Sequence, residues 1–159
     1  MARPRSEGHR SAREGGTTRM EIERSDGLSA GDERIDVEHR HIVRSVRQLA
    51  TALATGRPEE IRGALRFLHG HLSEHFENEE GWMAEVGYPE AREHARVHAA
   101  LLDAIAGARQ QAIRQPHGIA RAAAELGDAL GEHMRTEDLE LGRFMTCRKA
   151  RFRDSGTRD

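Results

Sequence analysis

The chain has 159 residues, a formal net charge of −2, 33% charged residues and only 4% aromatic residues. This length predicts one domain with a single core. The near-neutral charge argues against nucleic acid or an anionic membrane as the main partner. No stretch has the length and apolarity of a membrane span or a secretory signal. Because Cys147 is the only cysteine, no intrachain disulfide can form, and we expect a cytoplasmic protein.

The first 30 residues show no hydrophobic period, and their mixture of charges, Gly and Ser is typical of a disordered polar arm. Beyond this arm, apolar residues recur at helical spacing in four successive runs. These runs extend from Asp32 to Gly56, from Pro58 to Gly87, from Ala91 to Gln115, and from about His117 to about Met145. Glycine and proline lie at the junctions, as is usual at helix ends.

No run shows the alternation of a β-strand, and the connections between runs are short. The sequence therefore predicts an all-α protein, an antiparallel up-down-up-down four-helix bundle over residues 31–146 with a di-metal site in its core. Residues 147–159 form a basic C-terminal tail, whose charge would complement the dipole of the closing helix. Several glycines interrupt the helices, at a cost of about 1 kcal/mol each, which suggests that something besides packing stabilises the bundle.

Histidine and carboxylate residues fall on the apolar faces of these runs. Burying them is costly unless a partner such as a metal ion compensates them. His94 and His98 are four residues apart, so both can reach one metal from the third helix. His75 and Glu79 have the same spacing on the second helix, and His39 shares the apolar register of the first.

The fourth helix offers two carboxylates after His133. Glu137 follows it by four residues and would lie on the same face. Asp138 follows by five and lies about 140° around the helix, an offset that suits a carboxylate reaching sideways to bridge two ions. Spacing alone does not choose between them.

The number of candidate ligands predicts two metal ions. Five imidazoles and two carboxylates exceed the four ligands of a tetrahedral zinc site. They suit two six-coordinate ions that share the carboxylates, and ligation without thiolate is compatible with iron or manganese. The remaining histidines are expected to be ordinary core or surface residues: His9, His41, His69, His71 and His117.

These residues resemble the hemerythrin family, and more closely its single-domain bacterial branch, the bacteriohemerythrins. The matching segments keep their order over residues 33–142: residues 35–39 (IDVEH), 75–80 (HFENEE), 87–89 (GYP) with Met83 before them, His94 with His98, and His133 with Asp138. The resemblance implies a di-iron centre with dioxygen as its ligand. It thereby implies Asp138 rather than Glu137, and iron rather than manganese.

The resemblance also implies a role for each ligand. One iron would be bound by His94, His98 and His133, the other by His39 and His75, and both by Glu79 and Asp138. The second iron would keep the open position for dioxygen. Leu130 matches the apolar residue expected over the oxygen pocket, and Phe76 and Trp82 are further lining candidates.

Three positions depart from the family pattern. Ala129 replaces the usual Trp, which predicts a roomier and wetter oxygen pocket. Glu38 replaces the usual Gln before the first histidine, and the N-terminal arm contains no Trp or Tyr. These departures leave the predicted metal ligands intact.

The function implied by the resemblance is reversible dioxygen binding for carriage, storage or sensing, in a monomer without catalytic residues. The alternative is a di-iron enzyme acting on peroxide or nitric oxide, or ferroxidase-type iron handling, and the wetter pocket at Ala129 motivates it. A third hypothesis is a structural bundle that keeps the ligands only to hold a stabilising metal.

Overall fold

The structure is a computed structural model and describes residues 27–114 and 118–155, with side chains described as far as residue 150. The polar arm expected at residues 1–30 therefore lies outside the described residues except for its last four. His9 and His117 lie outside them as well. Within the described ranges, no helix combines the length and the apolarity that crossing a membrane requires.

The described chain folds into helices joined by short connections. They are α1 (Glu33–Thr55), α2 (Pro58–Val86), α3 (Ala91–Arg114), α4 (Ile119–Arg135) and α5 (Glu137–Ser155). Each helix packs against the next one along the chain, and α1 also contacts α4. Because α4 and α5 follow one another as the fourth arm, the architecture is the predicted all-α four-helix bundle.

The ends of α1 and α2 follow the local signals in the sequence. The Asp32 side chain caps α1 by accepting a hydrogen bond from the backbone N–H of Arg34. Gly56 ends α1 with φ of 66°, and Gly87 ends α2 with φ of 62°. Both angles lie in the left-handed region that favours glycine. Pro58 occupies the first turn of α2, where a missing backbone N–H costs nothing.

The fourth arm differs from the prediction of one continuous helix. It is interrupted at Thr136, whose φ and ψ are −112° and −80° and whose N–H points to the carbonyls of both Glu132 and His133. The apolar period runs across this position without a break, so it could not reveal the interruption. The new helix, α5, continues to Ser155, well into the segment expected to be a basic tail.

The apolar residues form two separate cores. The larger core lies among the first four helices and contains most of the buried leucine, isoleucine and valine side chains. The smaller one joins the segment before α1 to α5 through Ala30, Ile35, Met83, Leu141 and Met145. The chain at residues 27–32 is thus fixed against the last helix.

Candidate metal centre

Seven histidine and carboxylate side chains meet in the interior of the bundle, and every helix contributes at least one. They are His39 from α1, His75 and Glu79 from α2, His94 and His98 from α3, His133 from α4 and Asp138 from α5. All seven are buried, and the two carboxylates have no exposed surface. They are the same seven residues that the sequence predicted as metal ligands.

Their ligand atoms form two groups, each compact enough to surround one ion. Glu79, His94, His98, His133 and Asp138 make up the first group, and His39, His75, Glu79 and Asp138 the second. The groups therefore share both carboxylates and differ in their imidazoles, with three on one side and two on the other.

Asp138 turns a different oxygen towards each group. Its Oδ1 lies 3.1 Å from His94 Nε2 and 3.0 Å from His133 Nε2. Its Oδ2 lies 3.0 Å from His39 Nε2. Glu79 Oε2 lies 3.4 Å from His94 Nε2 and 3.8 Å from His75 Nε2. The interruption at Thr136 separates His133 from Asp138, and their side chains still meet across it.

The chemistry of this donor set fits cations. In the part of the chain that the structure describes, every buried side-chain nitrogen or oxygen without a hydrogen-bond partner belongs to one of these residues: His75, Glu79, His94, His98, His133 and Asp138. Buried polar atoms in native proteins are almost always paired, and leaving them unpaired is costly. Positive ions, one within each group, would compensate the charge and the unpaired polarity of these atoms.

The electrostatics of the cluster are dominated by its carboxylates. Burial lowers the pKa of His75, but nearby Asp138, Glu38 and Glu79 outweigh this effect and raise the pKa to about 10. For His94, burial is likewise outweighed by Asp138 and Glu79, and the pKa rises to about 9. Burial raises the pKa of the Asp138 carboxyl, yet the surrounding imidazoles hold it well below its usual range. The centre therefore attracts positive charge, either protons or metal ions.

Three imidazoles are oriented by acceptors on their outer side. The Nδ1–H of His39 donates to the Leu28 carbonyl at 2.8 Å. His98 Nδ1 lies 3.1 Å from Glu80 Oε1. Such contacts place the proton on Nδ1 and turn Nε2 towards the centre as the free ligand atom. Neither Leu28 nor Glu80 lies on an apolar helical stripe, so the pattern of the sequence did not reveal these contacts.

Glu38 performs the same role for His75. Its Oε2 accepts from His75 Nδ1 at 2.8 Å, and its Oε1 accepts from Asn78 Nδ2 at 2.7 Å. Glu137, the alternative to Asp138, lies outside the two groups, with its Oε2 3.4 Å from the outer nitrogen of His133. The structure thus places Asp138 inside the cluster and Glu137 at its margin.

The four predicted lining residues have different surroundings. Phe76 stacks on His98 with ring centroids 3.9 Å apart, and Leu130 is fully buried in the larger core. Trp82 packs instead against the smaller core, under the guanidinium of Arg34. The side chain of Ala129 is exposed on α4.

The other described histidines lie outside the cluster. His71, one turn before His75, has its Nδ1 2.6 Å from Ser45 Oγ and an edge contact with Phe67. His41 is exposed, and His69 is half-buried. None of them belongs to either group of ligand atoms.

A helical bundle with a buried cluster of imidazoles and carboxylates defines a metal-binding protein of the all-α class. The family model described as hemerythrin HHE cation binding domain matches residues 30–144. The chain therefore belongs to the hemerythrin family. Comparisons with curated proteins and with solved structures give no significant match.

Proposed function

We propose that this chain is a non-haem di-iron protein that binds dioxygen reversibly, for carriage, storage or sensing. The observation that carries the proposal is the division of the seven buried side chains into two groups that share Glu79 and Asp138. A single ion would leave part of this donor set uncompensated. Imidazole and carboxylate donors without thiolate suit iron.

The unequal number of imidazoles supports a place for an external ligand. His94, His98 and His133 would hold one ion, whereas only His39 and His75 would hold the other, with both carboxylates common to the two. The side with fewer protein donors is where a small molecule has room to coordinate. When bound in the two groups of the centre, a pair of ferrous ions would supply the two electrons that reversible dioxygen binding requires.

The protein contributes orientation and exclusion of water. The acceptors Leu28, Glu38 and Glu80 hold three imidazoles with Nε2 facing inwards. Phe76 covers the face of His98, and Leu130 of α4 is buried in the larger core. Apolar surroundings of this kind restrict access of solvent to a redox centre.

Anaerobic reconstitution tests the proposal. Metal-free protein is loaded with ferrous iron, analysed for metal content and exposed to air. We expect two irons per chain and a visible absorption band that appears on aeration and disappears under argon through repeated cycles. One iron per chain, no band, or a band that never reverses would contradict the proposal. The same samples loaded with manganese distinguish the two metals that the donor set accepts.

The enzymatic alternative is tested on the same samples. Its motivation is the predicted wetter pocket at Ala129, whose side chain is exposed. If the protein is a reversible carrier, we expect negligible steady-state consumption of peroxide or nitric oxide, and no sustained oxidation of added ferrous iron. Turnover that is lost in His39→Ala but retained in His69→Ala would favour the enzyme instead. A metal-loaded protein without any redox response would favour the structural bundle.

A further inference from the structure

A second polar pocket lies on the outer side of the metal centre, between α1 and α2. It has a volume of about 220 Å³ and is lined by Val37, Glu38, His41, His71, Glu74 and His75. His75 is a candidate ligand of the buried centre, and it also lines this pocket. The pocket thus reaches from the surface of the bundle to the outer side of one ligand.

The lining of this pocket suits a cation. It contains imidazole and carboxylate side chains but no arginine or lysine. Three other surface pockets contain arginine: Arg44 lines two of them, Arg143 another, and the pocket that touches His39 also includes Arg40. Arginine repels metal ions and attracts anions. The pocket beside His75 is therefore the one of these four that fits a hydrated divalent ion.

The geometry of the pocket favours loose binding. The ring centroids of His41 and His71 are 6.2 Å apart. Pairs within the centre are closer, at 4.5 Å for His94 with His98 and 5.1 Å for His39 with His75. Among the described residues, compact clusters of three or more ligand atoms occur only in the centre itself. A metal held in the pocket would keep part of its hydration and leave readily.

Glu38 connects the pocket to the centre. Its side chain is 23% exposed, and its Oε2 accepts the hydrogen bond from His75 Nδ1. The carboxylates of the centre have no exposed surface, so an incoming ion needs a polar path past the helices. Glu38 is the carboxylate that faces both the pocket and a ligand.

We propose that this pocket is a loading site, where His41, His71 and Glu74 capture a divalent cation and pass it along Glu38 to the buried centre. The inference rests on the proposed function, because it needs a centre that takes up two ions. The pocket accelerates loading and leaves the final occupancy unchanged. Anionic residues near a binding site can raise association rates by factors of about 10–1000.

The test measures the loading of metal-free protein with Co²⁺, whose visible absorption reports its coordination, and then with Fe²⁺ under argon. The variant is His41→Ala combined with Glu74→Gln, because both side chains are exposed and their replacement leaves the core intact. The matched control is His69→Ala combined with Glu77→Gln, which replaces the same residue types on α2, the helix of Glu74, outside the pocket. Stopped-flow traces give the rate, and metal analysis after equilibration gives the occupancy.

We expect loading of the pocket variant to be slower by about tenfold, with the same final occupancy of two ions and with the control variant matching the unmodified chain. Equal rates in all three proteins would overturn the loading site while leaving the centre intact. If the unmodified chain itself never reaches two ions, the proposed function fails instead. Slower loading in the control as well would show general surface electrostatics and would also overturn the proposal.

Discussion

Asp138 faces the two groups of the metal centre with different oxygens. This arrangement distinguishes it from the imidazoles, each of which faces one group. Its Oδ1 lies near His94 and His133, and its Oδ2 lies near His39. A carboxylate in this position can join two ions, whereas each imidazole can serve only one. Loss of an imidazole and loss of this carboxylate should therefore have different consequences.

Removing one imidazole should remove one ion. In His39→Ala, the group around His94, His98 and His133 keeps all its donors, whereas the other group retains only His75 and the shared carboxylates. We expect metal content after dialysis to fall from two ions to one per chain. Asp138→Ala, which depletes both groups, should lose both ions. His69→Ala is the control and should retain two, and one ion in every variant would refute the division into two groups.

The stability of the metal-free protein should depend on pH through the same residues. The folded pKa of His75 is raised to about 10 from its ordinary value of 6.5. Its contribution is therefore fully present below about pH 6.5 and is lost as the pH rises towards 10. Asp138 and Glu79 have lowered pKa values, so their contribution is present above about pH 4 and is lost as the pH falls.

Denaturant midpoints in the presence of a chelator measure this dependence. We expect the stripped protein to be most stable between about pH 5 and pH 6.5 and to weaken towards pH 10. Metal binding requires deprotonated imidazoles and strengthens with pH, so the midpoints of loaded and stripped protein should diverge as the pH rises. A stripped protein that grows more stable between pH 7 and pH 10 would contradict the pKa of His75.

At the scale of the helices, the segment before α1 links the last helix to the centre. Leu28 is buried, and its carbonyl orients His39. Two residues further along, Ala30 packs against α5 in the smaller core. At the closest approach, α5 has Gly142, and any side chain there would overlap the Ala30 carbonyl oxygen and lie 2.9 Å from its Cβ.

Gly142→Ala should therefore destabilise the protein and disturb the centre. Overpacking of this kind costs about 1–3 kcal/mol of stability. Displacement of the segment would also weaken the hydrogen bond between His39 Nδ1 and the Leu28 carbonyl. Gly70→Ala is the control, because it lies in α2 with open space around it. That variant should gain up to about 1 kcal/mol of helix stability. Chemical denaturation and metal affinity measure both effects, and equal behaviour of the two variants would contradict the close approach.

The sequence predicted those parts of the fold and site that depend on periodicity. The helix ends at Gly56 and Gly87 follow from local conformational preferences, and the histidines and Glu79 of the centre lie on apolar stripes. In the sequence, only the family resemblance favours Asp138 over Glu137. The interruption at Thr136 left no trace in the apolar period. Leu28 precedes the first helix in a stretch without any period, so its contact with His39 arises only from tertiary packing.

The surroundings of Ala129 and Trp82 show what spacing along one helix leaves open. The family pattern assigns Ala129 to the lining of an oxygen pocket, and in the structure its side chain is exposed on α4. Trp82, assigned to the same lining, packs against Arg34 and the smaller core. Side-chain direction depends on the rotation of each helix within the bundle, which spacing along one helix cannot supply.

For the molecule as a whole, metal binding and folding should be strongly coupled. The described interior contains six residues with buried polar atoms that lack a hydrogen-bond partner. The seven ligands come from five different helices, so only the folded chain brings them together. Ions that bind only the folded state stabilise it by about 4 kcal/mol when free metal exceeds the dissociation constant a thousandfold. For a domain of this size, that energy corresponds to a rise in melting temperature of about 8–16 °C.

Melting curves of loaded and stripped protein measure this coupling. We expect removal of metal by a chelator to lower the melting temperature by about 10 °C or more, and re-addition of ferrous iron under argon to restore it. Asp138→Ala should melt at the same temperature with and without added metal, because it lacks one of the two carboxylates common to both groups and depletes both at once. His69→Ala should keep the full difference. If stripping leaves the unmodified protein unchanged, the seven residues do not hold metal, since bound ions cannot occupy this core without stabilising the fold around it.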